Sequence, residues 1–281
     1  MKYCKIETAE LAAFGCYLRE NEHSSGTIEK YLRDVRAYAA WLDGRAATRE
    51  TASEWREHLL KENYAPVTIN SMLAALNAFF RFEGCEECRV KFLKIQRRMF
   101  RESGRELNRE EYKRLLDTAH ILGRDRLALL METICATGIR VSEVRYITVE
   151  AARQGKAEIA LKGKIRTILL PGKLCRKLQK YARHKKIASG EIFRTGSGKS
   201  LNRRQIWAEM KKLCKYANVE QSKVFPHNLR HLFATTFYRT CKDIVRLADV
   251  LGHSSVETTR IYLLTTGNEH RKQLEQLGLV S

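Results

Sequence analysis

The chain has 281 residues, 44% of them hydrophobic, enough for one large domain or two modest ones, each with its own core and without disulfides. Lys and Arg total 52 against 32 for Asp and Glu, and the resulting formal charge of +20 calls for a polyanionic partner. The composition excludes a disulfide-framed secreted module and a membrane protein: the eight cysteines are mostly isolated, as suits reduced thiols in the cytoplasm, and the apolar run 127–131 is cut by Glu132. At the N-terminus, Glu7 and Glu10 precede any apolar run long enough for a signal core. The basic residues are dispersed, so the charge belongs to a folded body with a basic cleft and not to a disordered arm.

Over 27–42, Ile28, Tyr31, Leu32, Val35, Tyr38, Ala39 and Leu42 recur at helical spacing, with Thr27 as the expected N-cap. Trp55, Leu59 and Leu60 predict a shorter helix. Ile69, Met72, Leu73, Leu76, Phe79 and Phe80 predict another after Pro66-Val67-Thr68. Residues 1–95 thus read as a helical bundle, on which Lys30, Arg33, Arg36, Arg81 and Arg89 are open to two readings, phosphate contact or solvated face. Cys85-Glu86-Glu87-Cys88 reads as a loop with two thiols; a zinc site would want a second pair or histidines close by in sequence.

Residues 96–106 are basic, weakly periodic and contain Gly104, and are expected to form an interdomain linker lying against phosphates. A second domain, 107–281, opens at Asn108, an N-cap with Glu111 in the capping-box position, and continues helically through Leu115, Leu116, Leu127, Leu130 and Ile134. Within it, 157–171 reads as a short β-hairpin with the basic tip Lys162-Gly163-Lys164, and 202–277 is again helical. The expected class is mainly α with one small β-hairpin.

Three segments carry chemistry. In Thr137-Gly138-Ile139-Arg140-Val141-Ser142-Glu143, an Arg follows a Gly turn at a helix start, where its planar fork suits an oxyanion. In Pro226-His227-Asn228-Leu229-Arg230-His231, His227 and Arg230 are three apart and share a helical face. Leu251-Gly252-His253-Ser254-Ser255 opens a further helix, and Tyr262 stands nine residues after His253. Singly, each is an ordinary helix fragment, and the default for a lone His or Tyr is packing.

Taken jointly and in order, these segments resemble the signature boxes of the tyrosine recombinase, or phage integrase, family, among them the Xer-like site-specific recombinases. The resemblance covers about 106–263, and the N-terminal bundle resembles that family's SAM-like core-binding domain by pattern. It implies a two-domain C-shaped DNA clamp that cleaves and rejoins strands through a 3′-phosphotyrosyl intermediate, with Arg140, Lys162, His227, Arg230, His253 and Tyr262 as catalytic residues. Arg140 and Arg230 would clamp the non-bridging oxygens and His253 would donate a further hydrogen bond. Tyr262 would attack, with His227 as general base or orienting group. Lys162 would protonate the departing 5′-oxygen, with Lys164 as the alternative, and Glu143 would hold Arg140. His231 is assigned to packing or backbone bonding, and the remaining Lys and Arg to nonspecific phosphate contacts.

A phenol has an ordinary pKa of about 10, so its attack at neutral pH needs cationic neighbours and a base. Because the phosphotyrosyl bond conserves energy, no cofactor, metal or ATP is expected. The implied partners are a double-stranded DNA recombination site and further copies of the chain in a synaptic tetramer, with the apolar tail around Leu274, Leu277, Leu279 and Val280 docking on a neighbour or on its own domain. The alternatives are a catalytically silent DNA-binding protein of the same fold and a type IB topoisomerase. Integration, excision, dimer resolution and inversion are not distinguished by these residues.

Overall fold

The computed structural model describes residues 6–95, 104–161, 164–262 and 275–276, and the chain divides into two units, 1–97 and 98–281. Among the described residues the first unit has four α-helices: α1 (Thr8–Glu20), α2 (Ser25–Leu42), α3 (Arg49–Lys61) and α4 (Pro66–Phe82). Helix α1 is not among the expected elements. Its stripe of Leu11, Phe14 and Leu18 is interrupted by Gly15, a poor helix former, but Gly15 lies against Leu32 and Phe14 meets Phe79 edge-on at 5.3 Å, so packing outweighs propensity.

Helix α2 starts earlier than expected: Ser24, not Thr27, is the cap, its hydroxyl accepting from the Thr27 N–H. Pro66 takes the first position of α4, where a missing N–H costs nothing. Asn70 and Asn77, two turns apart on α4, fasten the chain that follows. The Asn77 amide bonds both the N–H and the carbonyl of Val90 at 3.0 and 2.9 Å, and Asn70 does the same for Leu93 at 2.8 and 2.9 Å. Each side chain thereby replaces a missing strand partner.

Of the basic residues expected on this bundle, Lys30 and Arg33 both pair with the buried Asp34, at 2.5 and 3.0 Å, and Arg81 and Arg89 both pair with Glu86. Cys85 precedes a 3-10 turn that ends at Cys88; both are buried, and burial pushes the Cys88 thiol up to about 11. Among the described residues no group of His, Cys, Asp and Glu could hold a metal ion, and no helix is long and apolar enough to cross a membrane.

In the second unit, α5 (Arg109–Ile121) begins in the expected capping box of Asn108 and Glu111. Helix α6 (Asp125–Thr137) runs through the core, burying Leu127, Leu130, Met131 and Ile134. Its Thr133 and Thr137 hydroxyls are also buried and donate one turn back, to the carbonyls of Leu129 and Thr133. After α7 (Val149–Gln154), strands β1 (Lys156–Leu161) and β2 (Lys164–Leu169) form the expected antiparallel hairpin, with Ile159 opposite Arg166 and Leu161 opposite Lys164. The inward face carries Ala157, Ile159, Arg166 and Ile168, while Ile165 and Leu169 are exposed, the alternation of a half-buried hairpin.

Then follow α8 (Gly172–His184), α9 (Arg203–Ala217), α10 (Pro226–Cys241), α11 (Ile244–Leu251) and α12 (Val256–Arg260). Ala234, Leu247, Leu251 and Tyr262 form a small second core beneath α10, α11 and α12, with Phe233 and Phe237 packed against it.

Most of the expected linker lies outside the described residues. Its last two residues are tied to α10: the Asn228 amide donates to the Arg105 carbonyl at 2.8 Å and His231 pairs with Glu106 at 3.2 Å. The apolar tail also falls largely outside the described residues.

Candidate active site

Two glycine turns bring the chemical groups together. Helix α6 ends at Gly138 in the left-handed region (φ 65°), and a Cβ there would stand 2.4 Å from the Phe233 ring and 3.0 Å from Leu251, so only glycine lets α6 end against α10 and α11. Helix α11 ends at Gly252 (φ 64°), where a Cβ would stand 2.5 Å from Cδ of Arg166.

The last carbonyls of α11 have no partners within the helix, and three guanidinium groups take them in turn: Arg166 donates to Val250 O at 2.9 Å, Arg230 to Leu251 O at 2.8 Å and Arg140 to Gly252 O at 3.4 Å. A helix C-terminus, rich in negative partial charge, thus gathers cations from three distant parts of the chain. Arg140 caps a 3-10 turn over Val141–Tyr146, with its N–H 2.7 Å and its Nη1 3.0 Å from the Glu143 carboxylate. Glu143 is 2% exposed and also receives Arg166 at 2.6 Å. Arg140 keeps 41% of its side chain exposed, so it is the member of this trio turned to solvent.

Arg230, buried on α10, also donates to the Gly138 carbonyl and to Nε2 of His253 at 2.9 Å. Because a guanidinium only donates, His253 Nε2 must accept; its proton is on Nδ1, which lies 2.8 Å from Oγ1 of the fully buried Thr259. Burial, followed by the charges of Arg230, Arg140 and Arg166, pushes His253 down to about 4, so the ring is neutral at pH 7. His227, which keeps an exposed face, is likewise drawn below the ordinary imidazole value by partial burial and by Arg230, Arg203 and Arg140.

Tyr262 is 4% exposed and lies in a ring of histidines: His231 meets it edge-on at 5.1 Å, His253 stacks at 6.0 Å and His227 lies at 6.3 Å between ring centroids. Arg140, His227, Arg230, His253 and Tyr262, widely spread in sequence, therefore share one site. Lys162 lies outside the described residues, as does the Lys164 side chain.

Three residues escaped the reading of the sequence. Thr259 orients His253. His231, assigned to packing, does pack, but against Tyr262 itself. Arg166, grouped with arginines for nonspecific phosphate contact, is not free for that role: its side chain is 16% exposed and both terminal nitrogens are taken. Strand alternation carried the signal, since position 166 shares the inward face with Ile168.

The arrangement gathers three guanidinium groups and one carboxylate at the end of α11, beside a buried phenol and two imidazoles held below their ordinary pKa, a combination of charges able to attract an anion. Comparison with known proteins gives the family. The profile of the Phage integrase family matches residues 105–269, and that of the phage integrase N-terminal SAM-like domain matches residues 11–85. The chain belongs to the phage integrase family. It is a tyrosine-type recombinase, and its function is site-specific recombination.

The tyrosine recombinase XerA of Thermococcus kodakarensis is 32% identical over 277 residues, covering 95% of this chain and 94% of its own. Among solved structures, XerH site-specific recombinase bound to its difH substrate in a pre-cleavage complex has a TM-score of 0.67 at 20% identity, covering 98% of this chain and 84% of that one. A lambda integrase dimer bound to a COC′ core site has a TM-score of 0.72 at 16% identity, with 91% and 94% covered. These likenesses show a common fold for a recombinase whose two units have separate helical cores.

Proposed function

We propose that this recombinase cleaves one strand of a double-stranded DNA site with Tyr262 as nucleophile, and that Arg140 and Arg230 bind the two non-bridging oxygens of the scissile phosphate. The observation that supports the reading is the placement of the Tyr262 ring against His227, His231 and His253, with the Arg230 guanidinium donating to Nε2 of that same His253 at 2.9 Å. A phosphate drawn to Arg230 is thereby brought to the group of side chains that surrounds Tyr262.

The Tyr262 Oη–P bond forms as the P–O5′ bond breaks. The phenol proton passes to His227, a neutral imidazole suited to accept it, and Lys162 supplies a proton to the departing 5′-oxygen. His253 accepts from Arg230 in the free protein; the charge of the bound phosphate favours uptake of a proton from solvent at Nε2, which then donates to a phosphate oxygen and returns that proton to solvent on release. Attack by a 5′-hydroxyl on the phosphotyrosine reverses each step, so rejoining needs no external energy source. The two units serve as a clamp on the duplex, 1–95 and 107–281 joined by the basic 96–106, and the +20 charge supports binding to the backbone. Copies of the chain assemble on paired sites as a synaptic tetramer, and the protein acts in the cytoplasm.

The test is incubation with candidate-site duplexes carrying a nick that lets the cleaved end diffuse away, without ATP or metal. A denaturation-resistant protein–DNA adduct is expected from the wild type and none from Tyr262→Phe. Specific binding at a confirmed site without an adduct would replace this reading with that of a silent DNA-binding protein; relaxation of supercoils without synapsis would indicate a topoisomerase.

A further inference from the structure

Arg166 projects from β2 into the protein, opposite Ile159, and ties three elements together. Its Nη2 meets Glu143 at 2.6 Å and its Nη1 holds the Val250 carbonyl at 2.9 Å. Its shaft lies over Gly252, where no other residue leaves room for it. Its Nε is the one buried side-chain nitrogen or oxygen without a hydrogen-bond partner among the described residues. A buried guanidinium with an unsatisfied donor is costly, and its retention asks for a return elsewhere.

That return lies in the charge balance around Arg140. Glu143 orients Arg140, but a lone carboxylate against a lone guanidinium makes a neutral pair with little attraction for phosphate. Arg166 makes the group a trio with a net single positive charge, and because Arg166 is buried while Arg140 is exposed, the excess charge is presented through Arg140. Arg140 also spends Nη2 on Gly252 O at a long 3.4 Å, a bond readily exchanged for a phosphate oxygen, whereas Arg166 grips the adjacent turn at 2.9 Å and keeps it in place when Arg140 lets go.

We infer that Arg166 is a positioning residue for strand cleavage: by sharing Glu143 and holding the end of α11, it leaves Arg140 oriented yet incompletely neutralised for the scissile phosphate. This rests on the role proposed above for Arg140. Arg166 touches no substrate in this scheme and acts through Glu143, Arg140 and the turn bearing His253.

The test is a charge-neutralisation double-mutant cycle in single-turnover adduct formation, with melting curves and DNA affinity measured alongside. Arg166→Gln is expected to slow cleavage about tenfold to a hundredfold with affinity changed only a few-fold, within the range of coupling seen between contacting groups. Adding Glu143→Gln, whose amide oxygen still accepts from the Arg140 N–H but no longer cancels its charge, is expected to recover much of the loss, although Glu143→Gln alone slows the wild type. A double variant no faster than Arg166→Gln would overturn the inference, since a purely structural role predicts further loss. Arg166→Lys, which keeps the charge without the fork, is expected to fall between; in that background Glu143→Gln should bring no gain, and a gain there equally overturns it.

A second readout needs no DNA. Arg166→Gln should move the His253 ring titration upward, followed by NMR, and Glu143→Gln should move it back down. If the wild type forms no adduct while this titration behaves as stated, the recombinase role of Arg140 fails and the charge sharing stands. If the wild type is active and the His253 titration does not respond, the charge sharing fails.

Discussion

Nδ1 of His253 and Oγ1 of Thr259 stand 2.8 Å apart, and this contact decides which nitrogen of the imidazole faces Arg230. Thr259→Val keeps the shape and removes the acceptor, leaving a buried N–H unpaired and the ring free to turn. Cleavage is expected to slow about tenfold and stability to fall by about 1–2 kcal/mol, the usual cost of orphaning a buried donor. Thr259→Ser should stay near wild type. Adduct formation and urea unfolding check both; a Val variant as fast as wild type would remove Thr259 from the site.

Gly138 and Gly252 have nearly the same backbone conformation and unlike neighbours, so alanine should affect them differently. Left-handed backbone alone costs a non-glycine residue about 1–2 kcal/mol. At Gly138 the new methyl meets the Phe233 ring at 2.4 Å within the small core, and Gly138→Ala is expected to show chiefly as lost stability. At Gly252 the obstacle is the Arg166 side chain, which can swing away, so Gly252→Ala should lose cleavage out of proportion to stability. Parallel melting and cleavage measurements separate the two, and equal behaviour would contradict this account.

His253 titrates at about 4 in the folded protein against 6.5 when unperturbed, so between these values the unfolded chain binds more protons. Its contribution to stability is complete above pH 6.5, is lost as pH falls toward about 4, and changes no further below that. His227, also lowered, acts in the same direction. His253→Gln should therefore flatten the fall in unfolding free energy between neutral pH and about pH 5. A variant whose stability keeps the wild-type slope over that range would show that His253 is not held neutral.

The first unit depends on two amides. Asn77→Ala orphans the buried N–H and carbonyl of Val90 together, and about 2–4 kcal/mol of stability should be lost in urea unfolding of the full chain. Asn77→Asp, which still accepts from the N–H, should lose less. Loss of under about 0.5 kcal/mol for the alanine variant, the scale of an ordinary surface change, would show that solvent replaces the amide.

The sequence by itself determined what depends on local pattern. Helical periodicity located α2 and α4, the Asn108 and Glu111 box started α5, alternating residues marked the hairpin, and the order of Arg140, His227, Arg230, His253 and Tyr262 pointed to phosphotyrosine chemistry. Helix α1 was not legible there, because Gly15 makes sense only once Leu32 lies beside it. Only the tertiary structure could decide which protons the site holds and which arginine faces out. Arg140, Arg166 and Arg230 are alike in sequence; they differ because three consecutive carbonyls at the end of α11 and one buried carboxylate are divided among them, leaving Arg140 exposed and the other two enclosed. Charge state and access depend on burial and on partners far away in the chain, and neither quantity is a property of a residue type or its spacing.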